Sequence, residues 1–254
     1  MNKKPIAIIT GATSGIGKAT ALHFAANGYR LVIAGRRENR LTALNDQIVK
    51  TMHSDVISLA FDVRNRDEVI EKLHSLPEDW QNPEVLVNNA GLALGLSPLQ
   101  ESNQADWDQM IDTNVKGLLY VSEAVIPWMI AGRKGHIINI GSIAGTEVYP
   151  GGNIYCATKH AVNAISKSMR IDLLKHGIKV TQIRPGLAET EFSFVRFKGD
   201  AERAKGVYKG YEAMRPDDIA SVIFYVTTLP AHVNINDLEL TPLAQANSYL
   251  VNKT

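Results

Sequence analysis

Apolar residues fall along this chain in two alternating patterns: short unbroken runs, and longer stretches in which they recur every three or four positions. The first run, Ile6–Thr10, ends in glycines and predicts a buried strand, and Lys18–Asn27 then carries helix-period apolar positions up to a stop at Gly28. The alternation repeats through a strand at Leu31–Ala34, a helix at Leu41–Met52, a strand at Val56–Phe61 and a helix at Val69–Leu76. Val85–Val87, His136–Ile140 and Lys179–Ile183 predict further buried strands, and Leu238–Leu240 reads as a last one. One long helix is expected from about Asp106 to Ile130, and another after Tyr155. Repeated strand–helix units imply an α/β fold, a parallel sheet covered by helices on both faces, because parallel neighbours need crossover connections. Ligands in such a sheet bind beyond the carboxyl ends of the strands. No repeat, low-complexity tract or linker divides the chain, so 1–254 reads as a single domain.

Composition narrows the partners. A hydrophobic fraction of 45% supports a sizeable core, and a net charge of +1 gives no general attraction to nucleic acid or to an anionic membrane, leaving a small molecule as the expected partner. Cys156 is the single cysteine, so no internal disulfide forms, which fits a reducing compartment and makes cytoplasmic location the expectation. The amino terminus is basic, but its apolar run is short, so no secretory signal is expected. No apolar segment reads as approaching the roughly 18 residues that span a bilayer, and no membrane span is expected.

Candidate chemistry sits at the turns. Thr10-Gly11-Ala12-Thr13-Ser14-Gly15-Ile16-Gly17 follows the first strand directly and opens the first helix. Glycines permit a tight turn and the close approach of a ligand, and the unpaired N–H groups of a helix start favour a pyrophosphate. Alone, such a turn is weak evidence, since glycines also end strands and admit close helix packing. After the second strand comes Gly35-Arg36-Arg37, where NAD-preferring dinucleotide folds place an acid against the ribose 2′-hydroxyl. That acid is missing, and a guanidinium matches a 2′-phosphate by forked hydrogen bonds, so Arg36, assisted by Arg37, points to NADP. Asp62-Val63 ends the third strand, placed to hold an adenine by one polar and one apolar contact.

Tyr155 and Lys159 stand four residues apart, which on one helix puts both on one face. Two such groups roughly 5 Å apart, at an effective dielectric of about 20, interact by about 3 kcal/mol, or about two pKa units off a phenol's usual value of about 10. The pair therefore predicts a tyrosine made acidic by its lysine, able to exchange a proton near neutral pH.

In order, TGATSGIG, Asp62, Asn88-Asn89-Ala90-Gly91, Asn114, Ser142, the YCATK run from Tyr155 to Lys159, and Pro185-Gly186 resemble the short-chain dehydrogenase/reductase family over essentially the whole chain. The resemblance implies a Rossmann-type, doubly wound parallel sheet of about seven strands, with a cofactor half at about 1–140 and the catalytic and substrate elements at about 141–254. It implies reversible hydride transfer through a tetrad of Asn114, Ser142, Tyr155 and Lys159. In that tetrad Tyr155 exchanges a proton with the substrate oxygen and Ser142 holds that oxygen. Lys159 lowers the tyrosine pKa and binds the nicotinamide ribose, and Asn114 holds a water linking Lys159 to solvent. Gly11, Thr13, Ser14, Gly15, Ile16 and Gly17 would surround the pyrophosphate, Asn89, Ala90 and Gly91 would line the cofactor, and Pro185, Gly186 and Thr190 would approach the nicotinamide. A narrower likeness, through Asn88–Gly95, Pro185–Ser193, Val195–Asp200 and Leu229–Asn236, is to NADP-dependent 3-hydroxy acid dehydrogenases. That branch oxidises serine and allo-threonine and interconverts 3-hydroxyisobutyrate- and 3-hydroxypropionate-type acids with their semialdehydes. The likeness also implies a homotetramer and a reaction without metal.

A polar stretch at about 187–215 suits a lid over the cofactor. A substrate carboxylate needs a cation there: Arg196 is the candidate and Arg184 the alternative. Glu147 is a candidate for a substrate ammonium, and stands where some relatives are expected to carry an aromatic residue. Cys156 reads as a packing thiol, because neighbours on a helix point about 100° apart. None of the seven histidines has metal-ligand spacing with a second ligand. Two rival functions stand beside the main one: a carbonyl reductase for bulky apolar ketones, and a non-catalytic NADP-sensing protein, against which the intact tetrad argues.

Overall fold

In the computed structural model, which describes residues 4–254, the strands are β1 (Ile6–Thr10), β2 (Arg30–Gly35), β3 (Val56–Ala60), β4 (Val85–Asn88), β5 (His136–Ile140), β6 (Lys179–Pro185) and β7 (Asp237–Leu240). They form one parallel sheet in the order β3-β2-β1-β4-β5-β6-β7. Helices α1 (Gly15–Ala26), α2 (Glu38–Met52), α3 (Arg66–His74), α4 (Gln104–Ile111), α5 (Gly117–Gly132), α6 (Asn153–Leu173), α7 (Phe192–Arg196), α8 (Ala201–Val207) and α9 (Pro216–Thr227) complete the chain.

The unbroken apolar runs have a direct cause. Successive strand residues point to opposite faces, and both faces are covered. Ile6 and Ile8 of β1 join a layer with Leu73 of α3, Val125 and Met129 of α5 and Val162 of α6; Ala7 and Ile9 join Phe24 of α1, Leu41 and Ile48 of α2 and Ile223 of α9. Every residue of β1 is therefore buried. Phe24 seals α1 to α9 with its ring edge-on to Tyr29 and Phe224, at 4.8 and 5.3 Å between centroids. His136 at the start of β5 is buried neutral: desolvation, helped by the Lys179 charge, pushes it down to about 3, and Nε2 meets Thr181 Oγ1 at 2.7 Å.

The strand order reverses at β1. From there the chain winds outward to β2 and β3, then crosses back to β4 and winds the other way. The loops at the carboxyl ends of β1 and β4 diverge and leave a crevice between them.

Two expectations change. The long helix runs Gln104–Gly132 but is broken at Asp112–Lys116 by a π turn that contains Asn114, one of the single-turn insertions that concentrate at functional sites. By length and composition this helix is also capable of crossing a bilayer, contrary to the reading that no segment approached that length. In the fold, Val121, Val125 and Met129 bury one side of it against the sheet.

Candidate active site

The glycine turn closes onto the end of β4. Asn89 Nδ2 donates to the carbonyls of Thr10 and Gly11 at 2.9 and 3.2 Å, and the Asn89 and Ala90 amides both donate to Thr10 Oγ1 at 3.0 Å. Gly11 adopts φ +66° and a Cβ there would lie 2.9 Å from Ala90 Cα, so the turn needs glycine for both reasons. Gly17 differs from its expected role. It lies behind the turn, outside the cleft, where a Cβ would strike the Gly11 carbonyl; it lets the helix start pack against the turn.

Gly11, Thr13, Ser14, Gly15 and Ile16 line one end of a cleft of about 600 Å³ that continues past Arg36, Arg37, Asp62 and Val63 to Asn89, Ala90 and Gly91. Ser142, Tyr155, Lys159, Pro185, Gly186, Thr190 and Arg196 line its other end. This elongated cradle, with a glycine-lined helix start and an arginine end, fits an NADP molecule. Asp62 is held by Arg64 at 2.7 Å; burial raises its pKa, but the Arg64 bonds outweigh that and keep it below the usual carboxylate range. Arg37 is less free than expected for a phosphate ligand. It bonds Thr13 and Ser14 within the glycine turn and Glu191 across the cleft.

Lys159 is buried, and Nζ donates to the Ile140 carbonyl at 2.8 Å. Desolvation lowers its pKa to about 8. Tyr155 is buried as well, its ring edge-on to Phe192 at 5.5 Å. Here the expected electrostatics reverse. Burial drives the Tyr155 phenol well above its ordinary value, with Tyr149 adding to the rise, and Ser142 and Arg196 oppose it only in part. Lys159 Nζ lies 5.9 Å from the Tyr155 ring centroid, and in the protein alone it does not make the phenol acidic. Counting attraction without desolvation gave the wrong sign.

Ser142 caps the short turn Ile143–Gly145, with Oγ accepting from the Ala144 amide at 3.1 Å, which fixes the hydroxyl at the mouth of the cleft. Asn114 lies just behind the cleft wall. Its Oδ1 accepts from the Leu92 amide and its Nδ2 donates to the Leu92 carbonyl and Thr158 Oγ1, at 2.8, 2.8 and 3.0 Å. These bonds clamp the strand-end loop to α6. A Cβ at Gly91 would sit 3.3 Å from Asn114 Oδ1 and 3.7 Å from Lys159 Nζ, so both atoms border one small space.

The substrate candidates separate. Arg196 enters the cleft from α7, its guanidinium carbon 5.3 Å from the centroids of both Tyr149 and Tyr155 and 5.9 Å from Phe192. It donates to the Tyr149 hydroxyl and, at 3.2 Å, to the Gly95 carbonyl. Arg184 and Glu147 do not line the cleft. Arg184 is bound by Asp237, Glu239 and Thr146, because β6 places it beside Glu239 of β7. Glu147 turns instead to the Ser248 amide, at 2.7 Å. The aromatic residue expected near Glu147 is supplied two positions later by Tyr149, which the motif reading passed over. Its signal was an aromatic residue beside Pro150 and two glycines, six residues before Tyr155. Phe192, inside the family-like Pro185–Ser193 run, carries no site role in the sequence, yet its ring lines the cleft beside Tyr155. Cys156 is buried beneath the site. Among the described residues, no group of three His, Cys, Asp or Glu side chains is placed to hold a metal ion.

A Rossmann cleft that brings a serine, a tyrosine and a lysine to one end and arginines to the other defines a nicotinamide-dependent oxidoreductase. The chain belongs to the short-chain dehydrogenase family, whose family model matches residues 5–199. The NADP-dependent 3-hydroxy acid dehydrogenase of Salmonella typhi is 48% identical over 242 residues, covering 95% of this chain and 96% of that protein. Sulfoacetaldehyde reductase 2 of Chromohalobacter salexigens is 45% identical over 242 residues, covering 95% of each chain. Among solved structures, the closed form of serine dehydrogenase complexed with NADP+ superposes with a TM-score of 0.91 at 46% identity, covering 98% of this chain and 99% of that one.

Proposed function

We propose that the protein is an NADP-dependent dehydrogenase of small 3-hydroxy acids, such as L-serine, L-allo-threonine, 3-hydroxyisobutyrate and 3-hydroxypropionate. The observation that carries this is Arg196: a half-buried guanidinium placed 5.3 Å from the ring of the proton-transfer residue Tyr155. An acid whose carboxylate pairs with Arg196 presents its 3-hydroxyl back toward Tyr155 and Ser142. Two carbons between the charged group and the reacting oxygen suit that short span.

The bound nicotinamide supplies the acceptor or donor of hydride. The protein's own groups do the rest. Ser142 Oγ fixes the substrate oxygen, and Tyr155 gives it a proton during reduction or takes one during oxidation. Lys159 places a charge 5.9 Å from the Tyr155 ring and would meet the ribose of a bound cofactor. Phe192 and Tyr149 exclude water from the reacting end. The relatedness to a sulfoacetaldehyde reductase favours one extension on the same geometry, since a sulfonate is an anion that Arg196 meets as it meets a carboxylate.

The test is Arg196→Gln, assayed by nicotinamide absorbance with L-serine, 3-hydroxypropionate and an uncharged diol, each oxidised with NADP+ and NAD+, and with sulfoacetaldehyde reduced with NADPH and NADH. Loss of one charge-assisted contact predicts a KM roughly 10- to 100-fold higher for the anionic substrates, with the diol unchanged. Equal effects on the diol, or none on the acids, would remove the carboxylate role. We also read the protein as a homotetramer, a reading supported by exposed Leu119, Ile171 and Leu174 on the outer faces of α5 and α6 and the turn after α6. Light scattering on the purified protein checks this; a monomeric mass refutes it.

A further inference from the structure

Glu191 stands at the first turn of the lid, directly before α7, and reaches across the cleft to the opposite half of the domain. Its Oε2 accepts from Arg37 Nη1 at 2.8 Å, and its Oε1 from Arg40 Nη1 at 2.5 Å. Arg37 is itself anchored in the glycine turn, through Nε and Nη2 to Thr13 Oγ1 at 3.1 and 2.8 Å and through Nη2 to Ser14 Oγ at 2.8 Å. Beside this bridge Thr190 packs on the turn, since a Cβ at Gly15 would lie 3.3 Å from it. One guanidinium thus joins the glycine turn, the chain after β2 and the lid, over the groove a pyrophosphate would follow. Other polar ties of the lid, such as Arg196 to Gly95 and Lys198 to Asp106, leave the glycine turn untouched.

We propose that Glu191 is a positioning residue for the cofactor: its ion pairs with Arg37 and Arg40 latch the lid over the pyrophosphate and set how fast the cofactor leaves. This rests on the reading of the cleft as an NADP site. Burial raises the Glu191 pKa, but Arg37 and Arg40 outweigh it and hold the carboxyl below its usual range, so the latch is charged throughout the neutral range. The arginines then divide their work. Arg36, half-exposed and 3.9 Å from Asp62, meets the 2′-phosphate, while Arg37 and Arg40 hold the lid. The latch grips neither the 2′-phosphate nor the nicotinamide, so it acts alike on NADPH and NADH.

The experiment is stopped-flow displacement of NADPH, and separately of NADH, from the full-length protein, followed by the fluorescence of the reduced nicotinamide at low and high salt. The parent is compared with Glu191→Gln, Glu191→Asp and Arg36→Gln. Glu191→Gln is expected to release both cofactors about tenfold faster, the scale of two partly exposed ion pairs, and to show less acceleration by salt than the parent. Glu191→Asp restores part of the retention, and Arg36→Gln speeds release of NADPH alone. Unchanged release from Glu191→Gln overturns the latch, and acceleration of NADPH alone overturns it by making Glu191 part of the 2′-phosphate site. A parent protein with no affinity for NADPH would instead defeat the cofactor reading, so the two failures are distinct. The Glu191 side chain is 41% exposed, so thermal melting of the variant is expected to match the parent and exclude misfolding as the cause.

Discussion

Replacing Tyr155 by phenylalanine is expected to lower turnover of a 3-hydroxy acid at least about a hundredfold, the usual scale for losing a positioned acid–base group. NADPH affinity is expected to stay within about threefold, because the groups that cradle a dinucleotide lie elsewhere. The glycine turn, Arg36 and Asp62 line the far part of the cleft, and the phenylalanine ring keeps the edge contact with Phe192 at 5.5 Å. Steady-state rates in both directions and a fluorescence titration with NADPH check the two halves. A variant that retained a tenth of the parent's turnover would show that water or Lys159 carries the proton. The burial of Tyr155 sharpens the reasoning. Its pKa is raised, so the phenol is protonated near neutral pH and ready to donate to a carbonyl oxygen. In the oxidative direction the proton acceptor must be the phenolate, and burial alone opposes it. Arg196 and Ser142 stabilise that form, and an oxidised, positively charged nicotinamide beside the ring would add to them.

The sheet was legible because its chemistry is local. Ile6–Thr10 or His136–Ile140 is an apolar run bounded by turn residues, and it stays apolar because helices cover both of its faces. The glycine turn and the Tyr155–Lys159 spacing were legible for a related reason: each states its geometry within a few residues. What was not legible depends on neighbours distant in the chain. Arg184 reads as a free cation near the site until β7 sets Asp237 and Glu239 beside it, a pairing no local pattern announces. Asn114 reads as the holder of a water beside Lys159, yet the π turn around it aims its amide nitrogen at Leu92 and Thr158. Arg37 reads as a phosphate ligand until Glu191, far along the chain, takes one arm of its guanidinium. The reversed tyrosine pKa has a different origin. Residue spacing gives the distance to a neighbouring charge but says nothing of the solvent removed, and at a buried site desolvation is the larger effect.

Lys159→Met is expected to yield a protein that is nearly inactive and, at pH 7, more stable than its parent. Lys159 is buried, and its ammonium has one recorded hydrogen bond, to the Ile140 carbonyl at 2.8 Å. Desolvation lowers its pKa from 10.5 to about 8. At pH 7 the lysine therefore still carries its proton in the folded protein, at a cost of about 3 kcal/mol, from about 1.4 kcal/mol for each pKa unit of depression. The sign follows from proton counts. Between about pH 8 and 10.5 the unfolded chain binds more protons than the folded one, so the parent gains stability as pH rises through that window and bears the full cost below it. Methionine fills a similar length with apolar atoms. It removes the cost but leaves the Ile140 carbonyl without this donor, a loss of about 1 kcal/mol, so the net gain is about 2 kcal/mol at pH 7. Urea unfolding at about pH 7 and pH 10 reads the difference: the variant's advantage shrinks toward the higher pH. A variant less stable than the parent at pH 7 would mean that the ammonium is held by more than one carbonyl and that burial is not its dominant environment. Saturating NADPH is expected to stabilise the parent more than the variant, since a ligand that meets the ammonium returns part of its lost solvation. An unfavourable buried charge that the cofactor relieves marks Lys159 as kept for chemistry at the expense of the fold.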